Sequence, residues 1–474
     1  MDDIRGGKNG PQSVLLEAFA KLTSREVSEL FSLVTEGAAR KGFTYQRHGG
    51  RIETIQLMLL PTFFTDPQVA YLHGVSRAVK RGVEAVWKEY FNDSEIQRLL
   101  PLNPVEYGWL KGLKPVGPDG GPEGGVPLWY RLDAHAHMKE SDWKDGISVF
   151  EINACAVGGI HYSPVAESLF SGIILPFLKP RLPKLPPIRK NPDLRDLLFG
   201  LMEHHAAAIG RKTLTVVFSE DTTLEEGITE GPYIVEYLRS KGVAAHLADP
   251  RDLYVKEDDL FYRDDPVDMV YRNFELGDMI EMEENGDNIE GVKFAFSNNR
   301  VISSLAGDLD HKSMWEVLAC GRFDKYFSKE DAAVFKKHLL WTRTVAERRT
   351  EGPLGPVVDL AGFMAKNRET LVLKPNRLFG GTGVTIGRNA SAGDWERLID
   401  EALKEEGHWV VQSFNAPERA VFPLFEGDRL VFEDHNIVYG FSSTSEGTGV
   451  LGRVSKEDVV NVAQQGGMMP VMRV

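Results

Sequence analysis

The spacing of apolar residues changes twice along this chain, and that change limits the fold more than any other feature of the sequence. From about Ser13 to Leu100 the pattern is helical. Leu15, Leu16, Phe19 and Leu22, then Val27, Leu30, Phe31 and Val34, recur every three or four residues. Thr23 with Glu26 three residues on predicts a capping box at the start of the second run. After a glycine- and proline-rich loop, Gly117–Gly125, the period drops to two in Leu128–Met138 and Ile147–Asn153, a strand pair turning near Asp145 and Gly146. Pro180–Pro192, rich in proline and basic residues, reads as a linker. Beyond it, strands Leu214–Phe218, Val243–Leu247 and Val267–Tyr271 around a helix at Pro232–Leu238 describe a small α/β layer. A helical stretch, Met314–Thr344, leads to strands at Leu371–Lys374 and Trp409–Phe414. Between these, Trp395, Leu398, Ile399, Ala402 and Leu403 form one helix face, opened by Ser391 with Asp394. The expected class is mixed α+β and α/β, with several domains.

Composition narrows the function. The 474 residues leave room for two to four domains, and a net charge of -14 argues against a nucleic-acid partner, which needs a basic footprint. No apolar run reaches the roughly 18 residues of a membrane span; Ser168–Leu178 is interrupted by Ser171, Gly172 and Pro176. The first residues carry no apolar signal segment, and Cys155 and Cys320 cannot make a disulfide framework. A soluble, cytoplasmic protein is expected.

Three segments could carry chemistry. In Leu371–Val384, strand alternation brings Lys374 out beside Gly380, Gly381, Thr382 and Gly383, where backbone N–H groups can converge on an anion. The lysine precedes the glycines, so this is not a P-loop; the other reading is a hairpin turn after a surface lysine. In the strand pair, Glu151 and Asn153 share a face, and a register with His137 opposite Ile147 places Asp133 across from Glu151. Two carboxylates and an amide oxygen among buried flanks suit a hard cation such as Mg²⁺; a solvated hairpin face is the alternative. His135 and His137 lack further ligands with zinc spacing and read as polar lining. The third segment holds Arg453, Asn461 and the pair Gly466 and Gly467.

Taken in order, these pieces resemble the ATP-grasp superfamily in its circularly permuted, glutathione synthetase-like branch. In the usual order the lysine strand and glycine loop come first and the Arg-x-Asp…Glu-x-Asn segment last; here Arg131–Asn153 comes first. The resemblance implies a helical region (1–127), a permuted piece with the metal ligands (128–180), a pre-ATP-grasp α/β domain (194–330) and a nucleotide-binding domain (335–474). It implies ATP and Mg²⁺ as cofactors, with Asp133, Glu151 and Asn153 on the metal. Lys374, Gly380, Gly381, Thr382, Gly383 and Asn461 would hold phosphates, while Gln412 and Phe414 form the hinge under adenine and Glu418 touches the ribose. Arg453 and Lys374 would be catalytic. The implied reaction joins a small-molecule carboxylate to an amine through an acylphosphate; a phosphotransferase and a non-catalytic nucleotide-binding protein are the alternatives. Gln412 stands where the family usually has Glu, and the earlier phosphate lysine has no clear match, with Arg343 and Lys337 as candidates.

Overall fold

The computed structural model describes residues 10–113, 126–139, 141–224, 226–460 and 466–474. Gly117–Gly125 and Asn461 therefore lie outside the described residues.

The N-terminal region is mostly helical. Ser24–Arg40 opens with the expected capping box, in which Glu26 accepts from the Thr23 N–H at 2.9 Å and the Glu26 N–H reaches the Thr23 hydroxyl. The 24-residue helix Asp66–Glu89 buries Val69, Leu72, Val75, Val79, Val83 and Val86 along one stripe, which packs on the strands Arg429–Thr444 and Gly447–Ser455. The helical rhythm is broken where the sequence reading had it continuous. Strands Thr44–Arg47 and Arg51–Thr54 form a hairpin whose turn needs left-handed backbone at Gly49 and Gly50, with φ of 77° and 75°. Glycine reaches that region without steric cost, so this pair was the available signal.

Among the described residues, three sheets of four or more strands follow. The small α/β layer has parallel strands in the order Val301–Ile302, Met269–Arg272, Thr215–Ser219 and Ala244–Ala248, flanked by helices Leu194–Ala208 and Gly231–Ser240. A four-stranded antiparallel sheet runs Thr342–Thr344, Trp409–Ser413, Leu371–Pro375 and Thr385–Ile386. It packs Leu371, Leu373 and Val411 on Trp395, Ile399 and Ala402 of helix Ala392–Lys404. The third sheet is six-stranded. Its main path runs Gly467–Met469, Gly447–Ser455, Arg429–Thr444, Arg131–Ala136 and Ile147–Asn153, with Glu418–Glu426 paired to the other half of the long strand. The early hairpin thus completes a sheet built otherwise from the last sixty or so residues of the chain. One core contains residues from Leu15 to Met472. No helix among the described residues is long and apolar enough to cross a membrane.

Candidate functional site

The site lies between the two antiparallel sheets, and a β-bulge shapes its floor. Asp133 faces Glu151 as expected, but the pairing then slips so that Ala134 faces Val149 and Ala136, not His137, faces Ile147. Phe150 is the extra residue. A bulge re-aims side chains, and here Phe150 and Glu151 both line the cleft beside Asp133, Asn153 and His135. Across the sheet Gly440 pairs with Asp133, and a Cβ there would meet Arg131 Cδ at 2.6 Å. Its missing side chain lets Arg131 lie against the sheet.

Asp133 is the electrostatic centre of this floor. Arg131 grips it bidentately (Nε to Oδ1 2.7 Å, Nη2 to Oδ2 3.1 Å), Arg453 reaches Oδ2 at 2.8 Å, and Asn153 donates to Oδ2 at 3.1 Å. Burial alone would raise its carboxyl pKa, but the two guanidinium groups overcome that and hold it down to about 2. The Nε of Arg453 is buried and finds no partner among the described residues. Glu151 meets a cation from another part of the chain, Lys312 Nζ, at 3.0 Å. The same ammonium donates to the carbonyl of Leu378 at 2.5 Å, at the entrance to the glycine turn.

The opposite wall is the lysine strand and its loop. Lys374 is 7% exposed and emerges at the end of Leu371–Pro375, as strand alternation required. Burial lowers its pKa to about 8, with Glu151 pulling the other way. Its ammonium donates to Gln412 Oε1 at 2.7 Å and stands 5.0 Å from the centre of the Phe150 ring. Gly380, Gly381 and Gly383 have φ between 66° and 76°, the left-handed backbone only glycine adopts freely. Gly380 and Gly381 line the cleft; Thr382 and Gly383 instead build the turn, Thr382 N–H donating to Phe379 O at 3.1 Å and Gly383 packing on Pro375. Phe414 forms an apolar wall with Val372, Leu340, Ile386 and Val438, and the guanidinium of Arg388 covers its ring at 4.1 Å. The cleft encloses about 940 Å³ of space, its open mouth included.

The structure therefore brings together Asp133, Glu151, Asn153, Lys374, Gly380, Gly381, Gln412, Phe414 and Arg453. Glu418 is not among the lining residues; it pairs with Lys139 at 3.1 Å. Neither candidate for the second phosphate cation lines the cleft. Arg343 turns to Thr350 Oγ1 and the Thr342 carbonyl, on the other face of its strand, and Lys337 pairs with Asp145 at the surface. Lys312 lines the cleft instead. It was not legible as a cleft cation because it lies 161 residues from Glu151 and no spacing rule connects them.

No family model and no curated protein matches this chain. Among solved structures, a glutathione synthetase-like effector from Globodera pallida, in its apo form, aligns over 96% of this chain and 98% of that one, with a TM-score of 0.65 and 12% identity. The chain has a glutathione synthetase-like fold. At that identity the likeness speaks for the fold alone. The ATP-grasp ligase PsnB, solved with a minimal precursor, aligns over 53% of this chain and 90% of that chain at 11% identity, but its TM-score of 0.24 is too low to bear on the fold.

Whether the residues present suit ATP and Mg²⁺ can be judged from the donor set. Lys374, Lys312, Arg131 and Arg453 exceed the carboxylates of the floor, and the orphaned Arg453 Nε calls for an acceptor, so an oligophosphate fits. Among the described residues no three His, Cys, Asp or Glu converge as a metal cluster. Mg²⁺ is usually held by one or two carboxylates plus substrate phosphates. Glu151 and the Asn153 carbonyl oxygen fit such a role. Asp133 fits it less well, because both its oxygens already serve arginines.

Proposed function

We propose that the protein is an ATP-dependent carboxylate–amine ligase that forms an amide or peptide-like bond through an acylphosphate. One observation carries the reading. Residues 131–153, 312, 374–381, 412–414 and 453, far apart in sequence, converge on one cleft with cations on the walls and oxygen ligands on the floor. The chain order, with the Arg-x-Asp…Glu-x-Asn hairpin ahead of the lysine strand, we read as a circular permutation; its support is the hairpin's place beside Arg429–Thr444 in the shared sheet.

The chemical difficulty is an anion attacking an anion. Lys374 and Lys312 would hold the phosphates, and the Gly380 and Gly381 turn would let backbone come close. Arg453, anchored through Asp133, directs its guanidinium at the group being transferred, where charge develops. Arg131 holds Asp133 so that Arg453 stays in place. Glu151 and Asn153 would hold a Mg²⁺ ion, which when bound neutralises phosphate charge. Lys312 bonds both Glu151 and Leu378 O, so it ties the glycine turn to the floor and helps exclude water from a hydrolysable acylphosphate.

The test is ADP release with Mg²⁺ across amino acids, peptides and polyamines, with mass spectrometry of the product. Hydroxylamine separates the alternatives, since only an acylphosphate yields a hydroxamate. A phosphotransferase would release ADP without one, and ATP binding with no ADP from any acceptor would leave a non-catalytic binding protein.

A further inference from the structure

Gln412 sits where three segments of the chain meet. It is 1% exposed, and each of its polar atoms is engaged. Its Oε1 accepts from Lys374 Nζ at 2.7 Å, while Nε2 donates to Thr342 Oγ1 at 2.9 Å and to the carbonyl of Phe150 at 3.1 Å. These partners fix the amide's orientation. An ammonium can only donate and a carbonyl can only accept, so the oxygen must face Lys374 and the nitrogen Phe150. The Thr342 hydroxyl spends its own proton on Leu340 O at 2.9 Å, leaving its lone pairs for Gln412. Both N–H groups of this amide are spent, so it has no donor left for a ligand, and its oxygen already accepts from Lys374.

The anchored partner is the informative part. Among the described residues no carboxylate forms an ion pair with Lys374; Glu151, which lines the same cleft, pairs with Lys312. A neutral amide holds an ammonium by hydrogen bonding without cancelling its charge, whereas a carboxylate at the same place would neutralise it. The Phe150 contact also fixes the bulged floor against the lysine strand.

We propose that Gln412 is a positioning residue: it holds Lys374 with its charge uncancelled for an anionic ligand. The role of that anion as a nucleotide phosphate rests on the ligase reading above.

A double-mutant cycle tests this. Gln412→Met has similar volume and no hydrogen bonds; it is combined with Lys374→Ala and titrated with adenosine, ADP and a non-hydrolysable ATP analogue. Gln412→Met is expected to weaken the ATP analogue about tenfold, to leave adenosine within about twofold, and to add nothing in the Lys374→Ala background. Equal losses for adenosine and the ATP analogue would make Gln412 a base reader, and full additivity would make it a packing residue; either overturns the proposal. Should Gln412→Met fail to fold, Gln412→Glu keeps the shape and the Lys374 contact. It is expected to weaken the ATP analogue about tenfold with adenosine unchanged, because its carboxylate cancels the charge; unchanged affinity for the analogue overturns the proposal. Acetylation of Lys374 by acetic anhydride, followed by peptide mass spectrometry on protein without nucleotide, gives an independent readout. It should accelerate severalfold in Gln412→Met, and an unchanged rate refutes the positioning role even if the wild type binds no nucleotide, a result that would sink the ligase reading instead.

Discussion

Lys374 is a lysine whose proton is loosely held. Burial brings its pKa to about 8, well below the ~10.4 of a free lysine. A phosphate placed against it favours the charged form and raises that pKa. The sign follows directly: above about pH 8 the unliganded protein has lost the proton and must take one up on binding, while near pH 6.5 it is already protonated. Calorimetric titration of an ATP analogue at pH 9, in buffers of different ionisation enthalpy, should show uptake of most of a proton at this site, and almost none at pH 6.5. Equal protonation at both pH values would place the phosphates elsewhere. Glu151 gives a second residue-scale expectation. Glu151→Gln preserves shape but removes a negative charge from the floor. Turnover should fall roughly 100-fold, about 2.7 kcal/mol of transition-state stabilisation, a larger loss than that in stability, where the variant gives up the charge partner of Lys312. ADP release and thermal melting measured together check both halves.

At the scale of elements, the glycine turn and the bulge determine how much was legible in advance. Gly383 has a φ of 70°, and a Cβ there would stand 2.7 Å from Pro375 Cγ. Gly383→Ala adds that clash to roughly 1–2 kcal/mol of left-handed strain, so the turn should shift away from Lys374. Affinity for the ATP analogue should drop at least severalfold while far-ultraviolet circular dichroism stays native; undiminished affinity would show that the turn does not form the site. The turn could be read from sequence because glycines state their conformation locally, as did the Thr23 cap and the helix face through Trp395 and Ile399. The pairing of Asp133 with Glu151 was read correctly as well, although through a register one residue off. The bulge at Phe150 was not legible, since an extra residue leaves no mark in alternating hydrophobicity when Phe and Glu both face a cleft. Lys312 and the engaged amide of Gln412 were equally hidden. Both depend on which distant strands are neighbours, and that information is absent from any local window.

The C-terminal strand ties together segments from across the molecule. Strand Val471–Arg473 pairs in parallel with Thr62–Phe64, and Arg473 exchanges backbone hydrogen bonds with Arg189. Met468, Met469, Val471 and Met472 are each at most 2% exposed. Truncating one such side chain costs about 2–5 kcal/mol, so losing all of them exceeds much of the about 5–15 kcal/mol that stabilises a typical domain. Deleting residues 467–474 should therefore abolish cooperative folding, including that of the N-terminal helices; a truncated protein with a native melting transition would show that those helices fold by themselves. The same closure brings the hairpin at Arg131–Asn153 beside Arg453 and opposite Lys374, so the site exists only once both antiparallel sheets are in place. On the proposed reading this cleft grips nucleotide phosphates through Lys374. The most direct measurement is calorimetric titration of wild type and Lys374→Ala with a non-hydrolysable ATP analogue and Mg²⁺. Saturable binding to wild type at one site, weakened about 10- to 150-fold in the variant, is the expected result. No binding to wild type, or a change below about twofold in the variant, would contradict it.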